Sequence, residues 1–177
     1  ENEKTHYLKN VMRCRINDKI FVFDNNTGEY IAEIVSIKKR VCVVQVLEKT
    51  KPTNVPGDVW LIFCPLKKTR TDFLIEKSTE LGLRKFLPTF SDKTQTKTVS
   101  LDRCKKNIIE AVEQCGGTFI PEILPIVSLA RVIDELPEDR KLIFCDETLE
   151  NRNISECLLL EKPEKIALLV GPEGGFS

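Results

Sequence analysis

Histidine is almost missing from this chain: His6 is the only one in 177 residues. Serine–histidine and cysteine–histidine nucleophiles need an imidazole base, and His6 falls in what reads as an N-terminal arm. That pattern argues against such catalysis. The seven cysteines include no C-x-x-C pair and their number is odd. Closely spaced ligands for a structural zinc are therefore lacking, and no metal is expected. Free thiols in a reducing cytoplasm fit these cysteines better than disulfides. No apolar run is long enough to cross a bilayer and no secretory leader is visible, so a cytoplasmic protein is expected. G-x-G-x-x-G is absent, as is a P-loop lysine. The first residue is Glu1 rather than Met, so the natural start is expected upstream.

What is present is unevenly charged. The net charge is zero, yet residues 1–109 hold 21 Lys and Arg against 13 Asp and Glu, and residues 110–177 hold 6 against 14. Lys38-Lys39-Arg40, Lys67-Lys68 with Arg70, and Lys105-Lys106 concentrate the excess. Such asymmetry suits a face that meets a polyanion, although solvated faces that cancel would give the same sum.

The apolar rhythm changes near residue 58. Before it, Lys19–Asp24, Tyr30–Ile37 and Val41–Leu47 read as three short strands, with the turn signal Asn25-Asn26-Thr27-Gly28 between the first two. Three strands so close together predict a small antiparallel barrel. Glu48–Asp58, with Pro52, Pro56 and Gly57, reads as a linker. Beyond it, strands at Val59–Cys64, Arg84–Phe90, Lys141–Cys145 and Lys165–Val170 alternate with helices. Those are Asp72–Leu81, Asp102–Cys115 capped by Ser100 or Asp102, Ser128–Leu136 before Pro137, and Ile154–Leu160. Alternation of this kind predicts an α/β domain with a parallel sheet.

The most informative segment follows the last strand. Ile166–Val170 is strongly apolar, and Gly171-Pro172-Glu173-Gly174-Gly175 comes directly after it. Glycines there let backbone approach a ligand, and ligands of α/β sheets sit beyond the carboxyl ends of strands. An ordinary turn is the alternative. Asp146-Glu147 follows another strand, and its carboxylates suit ribose hydroxyls or a solvated loop equally well. Lys77 reads first as an ion-pair partner of Glu80 and otherwise as a phosphate contact on a helix edge. Glu113-Gln114-Cys115-Gly116-Gly117 reads as a helix end.

Several of these blocks together resemble one family. His6-Tyr7-Leu8 with Asn10-Val11-Met12-Arg13 is similar to its H-x-x-x-V-L-R segment. Lys77-Ser78-Thr79-Glu80-Leu81-Gly82-Leu83, followed by Pro88 and Phe90-Ser91, resembles its K-x-x-E-L-G-[VI] helix end. Glu113-Gln114-Cys115-Gly116 with Pro121 and Ile123 resembles E-Q-[SC]-G-R…P-x-[IL], and Gly171–Gly175 is similar to its G-P-E-G-G loop. The blocks fall in one order over nearly the whole chain. They are those of the RsmE-type small-subunit ribosomal RNA uridine N3-methyltransferases, of the SPOUT class.

The resemblance implies a PUA-like RNA-binding β-barrel over residues 1–57 and a SPOUT methyltransferase domain over 58–177, with a C-terminal trefoil knot. It implies S-adenosylmethionine as cofactor, 16S ribosomal RNA or the small subunit as partner, and a homodimer. Glu147, Gly171, Pro172, Glu173, Gly174 and Gly175 would hold the cofactor. Arg13, Lys67, Lys68, Arg70, Lys77 and Lys93 would contact RNA. Three departures stand out. Lys93 replaces the arginine of the family's S-E-R block, Gly117 replaces the arginine after E-Q-[SC]-G, and the closing R-I-L-R-x-E-T-A block is absent. Lysine and glycine cannot reproduce a guanidinium fork. The missing block implies that the natural chain continues past Ser177, or else that the protein binds RNA without methylating it. A small-molecule α/β enzyme, with the basic half coincidental, is the remaining alternative.

Overall fold

Asp24 starts the folding of the first strands. Its carboxylate accepts the Thr27 N–H at 2.6 Å, the Thr27 hydroxyl at 2.9 Å and the Asn26 N–H at 2.9 Å, an Asx-type turn. Those bonds, Thr27's backbone first, hold its carboxyl below the ordinary range. The turn joins β1 (Lys19–Asp24) to β2 (Gly28–Ile37) as an antiparallel pair. Gly28 has φ +105°, and a Cβ there would lie 2.2 Å from the Lys51 carbonyl oxygen, so only glycine fits.

The computed structural model of the protein describes residues 2–145 and 153–171. The chain divides into two units, Glu1–Val55 and Pro56–Ser177. In the first unit β3 (Cys42–Lys51) adds to the other edge of β2, giving an open three-stranded meander in the order β1-β2-β3. A closed barrel is not formed by the described strands. Three register shifts interrupt the β2–β3 pairing, and such bulges raise the local twist. Ala32 and Ile34 of β2 are fully buried. Strand β3 runs four residues past its expected end. Glu48 pairs with Ile31 and Lys51 with Glu29, while the Thr50 hydroxyl donates to the Glu29 carboxylate at 2.7 Å. Polar residues remain in the strand because each has a partner across it. The N-terminal arm is helical: α1 (Asn2–His6) runs into a π-helical turn at Tyr7–Val11. The buried Thr5 hydroxyl donates to the Arg40 carbonyl at 3.4 Å.

The second unit contains, in chain order, β4 (Asp58–Phe63), α2 (Lys68–Glu80), β5 (Lys85–Phe90) and α3 (Leu101–Cys115). Then come β6 (Glu122–Ile123), β7 (Val127–Ser128), α4 (Leu129–Asp134), β8 (Lys141–Phe144), α5 (Ile154–Glu161) and β9 (Lys165–Val170). All pairs in this sheet are parallel, in the order β6-β5-β4-β9-β8, with β7 beside the end of β5. The two-residue strands β6 and β7 are too short for a periodic signal, and the sequence did not announce them. Alternate strand positions face opposite sides. One set, Ile62, Leu87, Ala167 and Leu169, packs with Val132 of α4. From the other set, Phe63 and Phe86 meet edge-on at 6.4 Å, and both are fully buried, as are Ile75 of α2 and Ile108 of α3.

Helix ends follow local chemistry. Ser100 caps α3 by accepting the Arg103 N–H, and Gly116 closes it in the left-handed region at φ +64°. Glu113–Gly117 is therefore a helix end, as its local pattern indicated. Helix α4 stops at Asp134, two residues before the expected end.

Candidate functional site

The connections of the sheet define where a ligand would sit. From β4 the chain steps outward to β5 and β6, then crosses to β8 and returns with β9 beside β4. The carboxyl ends of β4 and β9 are thereby neighbours although the strands are far apart in sequence, and ligands of α/β sheets sit beyond the carboxyl ends of strands. Phe63, the last residue of β4, pairs with Val170, the last of β9. Cys64 is buried beneath this edge. The buried Thr89 hydroxyl donates to the Phe63 carbonyl at 3.3 Å and lies 3.9 Å from the Cys64 sulfur. Gly171 leaves β9 at the same edge, partly buried. It is the one member of the candidate cofactor set that is described. Glu147, Pro172, Glu173, Gly174 and Gly175 lie outside the described residues.

Four of the candidate phosphate contacts meet at this edge. Lys67 is the N-cap residue of α2, and its side chain caps nothing. Lys68 and Arg70 fall in the first turn, which holds no acid. Helix N-termini favour negative charge, so three cations there run against the helix dipole, and an anion would relieve the conflict. Lys93 lies in the loop after the neighbouring strand β5. All four are exposed. Among the described residues, Lys67, Lys68 and Lys93 have no carboxylate partner. Helix α2 starts four residues earlier than the sequence indicated, and this puts Lys68 and Arg70 on it.

Lys77 does not join them. It lies nine residues along α2 from Lys68, about 14 Å toward the opposite edge of the sheet. Its ammonium is held by Glu76 at 2.8 Å and Glu80 at 2.8 Å. Its hydrogen bonds to Glu76 and then Glu80 raise its pKa. The structural ion pair is what forms. Arg13 belongs to the first unit, exposed, with φ +55°.

The opposite edge of the sheet holds a charge cluster that the sequence did not reveal. Arg140 is almost fully buried. It donates to the carbonyls of Asp58 at 2.9 Å and Ile166 at 3.0 Å, and to the Asp58 carboxylate at 2.8 Å. Its guanidinium lies 3.6 Å from the centre of the Trp60 ring. Arg84 lies 3.4 Å from the same carboxylate. Burial pulls the Asp58 carboxyl upward, but the Arg140 bond and the two guanidinium charges outweigh it and hold the group below its ordinary value. A usable signal existed: Asp58 begins β4, and an arginine directly precedes both β5 and β8. A separate cleft of about 450 Å³ opens between Trp60, Leu87, Leu124, Val127 and Leu136, with Lys85 and Arg131 among its walls. Both cations are paired, Lys85 with Glu122 and Arg131 with Glu135.

Residues 53–177 match the family model of an RNA methyltransferase domain, and residues 1–47 that of an RNA methyltransferase PUA domain. The chain is 29% identical to ribosomal RNA small subunit methyltransferase E of Rickettsia conorii, covering 97% of this chain and 70% of that protein. It is 32% identical to the protein of the same name from Buchnera aphidicola subsp. Schizaphis graminum, covering 98% and 72%. Among solved structures it is similar to a ribosomal RNA small subunit methyltransferase E from Neisseria gonorrhoeae bound to S-adenosyl methionine. That likeness has a TM-score of 0.87 and 27% identity, and covers 99% of this chain and 73% of that one. A putative methyltransferase from Legionella pneumophila, in complex with the same cofactor, also gives 0.87, at 26% identity, covering 100% of this chain and 74% of that one.

Proposed function

The chain belongs to the RNA methyltransferase family, and we propose that it methylates N3 of a uridine in 16S ribosomal RNA of the small subunit, with S-adenosylmethionine as donor. The observation that carries this reading is one coincidence. The likeness to small-subunit RNA methyltransferases runs over nearly the whole chain. Within that chain, Lys67, Lys68 and Lys93, which have no carboxylate partner among the described residues, lie at the sheet edge where an α/β fold receives its ligand.

Residues 1–57 serve as the PUA-like RNA-binding domain and 58–177 as the SPOUT domain of trefoil-knot type. The protein works as a cytoplasmic homodimer. The residues fit the cofactor in one respect: Gly171 follows β9 with no side chain to occupy the carboxyl edge, beside the buried Phe63 and Cys64 at the end of β4. Gly171, Pro172, Glu173, Gly174, Gly175 and Glu147 would hold S-adenosylmethionine, which supplies, when bound, a methyl group on a sulfonium. Glycine backbone lets the loop close on the ligand, and the two carboxylates offer acceptors for its hydroxyl and amino groups.

Uracil N3 carries its proton on the Watson–Crick edge, so the target base is unpaired or flipped before reaction. Lys67, Lys68, Arg70 and Lys93 hold the flanking phosphates and fix the base relative to the carboxyl edge of the sheet; Arg13 contacts RNA from the first unit. Most of the acceleration is then positioning. The N3 proton would pass to water, the N–C bond would form as the methyl–sulfur bond breaks to leave a neutral thioether, and the cations at this edge would stabilise the negative charge that develops on the base. Lys77 is left out of this set because two carboxylates already neutralise it.

The test is transfer of labelled methyl from S-adenosylmethionine to small subunits that lack the modification, followed by nucleoside analysis. The expected product is 3-methyluridine in 16S RNA. RNA retained on the protein with no methyl transferred, while S-adenosylmethionine binds, would overturn the reading.

A further inference from the structure

We infer that two buried threonine hydroxyls, those of Thr71 and Thr94, are positioning residues that set the two basic loops of the carboxyl edge against the RNA backbone. The inference rests on the functional reading above and adds to it the side chains that hold its phosphate contacts in place.

The geometry is the same in both loops. After β4, the Thr71 hydroxyl accepts the Leu66 N–H at 3.0 Å and donates to the Leu66 carbonyl at 3.0 Å. It therefore clamps both polar groups of the residue that precedes Lys67. After β5, the Thr94 oxygen accepts the Ser91 N–H at 2.8 Å and lies 3.1 Å from the Ser91 hydroxyl. The Thr94 N–H returns to the Ser91 carbonyl at 3.1 Å, which closes the turn that carries Lys93. Thr71 is 3% exposed and Thr94 is 4% exposed, although both belong to loop or helix-start segments whose neighbours are open to solvent. The strands that feed the loops are adjacent, with Phe63 of β4 paired to Pro88 of β5. The two latches thus follow neighbouring strands, each next to a lysine with no carboxylate partner among the described residues.

A loop needs a latch where its exposed charges must point in one direction. Lys67, Lys68 and Lys93 carry like charge, and no carboxylate among the described residues holds their side chains. No side chain caps α2, since Lys67 makes no capping bond. Removing the Thr71 hydroxyl would leave the Leu66 N–H and carbonyl seeking water. The turn would open, and the lysines would sample more directions. Binding would then carry the entropy of ordering them.

Thr71→Val and Thr94→Val test this, each with its serine counterpart, by steady-state methylation and by RNA affinity across a salt series. Each valine variant is expected to raise the KM for small-subunit RNA roughly tenfold, with S-adenosylmethionine affinity unchanged. The slope of log affinity against log salt should fall by about one, the share of one phosphate contact. Serine keeps the hydroxyl and should restore both readings. Valine variants with the original KM and slope overturn the inference, as do serine variants as weak as valine, since packing would then be the cause. Lys67→Gln with Lys68→Gln separates the two levels. If this double variant lowers the slope while the valine variants do not, only the latch is refuted. A double variant with an unchanged slope refutes the basic edge itself. Should Thr71→Val fail to fold, Thr94→Val with Lys93→Gln decides alone.

Discussion

The two edges of the parallel sheet use their charges in opposite ways. At the amino edge, Arg140 reaches two strands and a carboxylate, stacks on Trp60, and is almost fully buried. At the carboxyl edge, Lys67, Lys68 and Lys93 stand in solvent without carboxylates among the described residues. One edge fastens strands that lie far apart in sequence. The other leaves its cations available and fixes only the backbone beneath them. The lesson is that a basic residue gains its meaning from what already neutralises it: Lys77, which the family pattern groups with the others, belongs by its two carboxylates to the fastening class.

The comparison breaks most visibly at Arg140. Arg140→Ala leaves the partly buried Asp58 carboxylate without its main partner and should destabilise the second unit by about 3 kcal/mol, read as a lower urea midpoint. RNA affinity of the folded fraction should stay as it was. A loss of affinity without loss of stability would mean that the amino edge also meets RNA.

The carboxyl edge gives the next largest effect. Lys67→Gln with Lys68→Gln should leave the urea midpoint within about 0.5 kcal/mol. The salt slope of RNA binding should fall by about two. A stability loss equal to that of Arg140→Ala would erase the distinction between the edges.

Acid sharpens the difference further. The Asp58 pKa is lowered by folding, so its stabilisation is present above the unfolded value of about 3.9. It is lost as pH falls through the lower folded value. Urea unfolding of the unaltered protein should weaken as pH drops below about 4. Asp58→Asn should show a flatter dependence in that window. Equal acid slopes for the two proteins would show that the carboxylate is not linked to folding in this way. Smallest of all, Lys77→Gln should leave the urea midpoint almost where it was, since exposed pairs contribute little, and leave the salt slope alone.

What could be read from the sequence was what is local. Strands β1 and β9, the turn at Asn25–Gly28 and the caps of α3 depend on residues within a few positions of one another. The parallel sheet followed from strand–helix alternation. Helix α2 began early because a hydroxyl five residues away from Leu66 fixes its entry, a bond that no periodicity reveals. Strand β3 ran on because Glu48–Lys51 find partners on β2, and pairing overrode polarity. The Arg140–Asp58 bond spans 82 positions, so only their places at the starts of strands, an arginine before β8 and an aspartate opening β4, hinted at it. For the site, the residue types and the loops were legible in advance, but which lysines stay unpaired depended on the fold.

Hydrogen exchange on adding small-subunit RNA tests the division between the edges most directly. Slower exchange is predicted in the backbone at Leu66–Thr71 and Asp92–Thr94, with no change around Asp58, Arg84 and Arg140. Protection centred on the Arg140 side, with the two lysine loops exchanging as before, would contradict it.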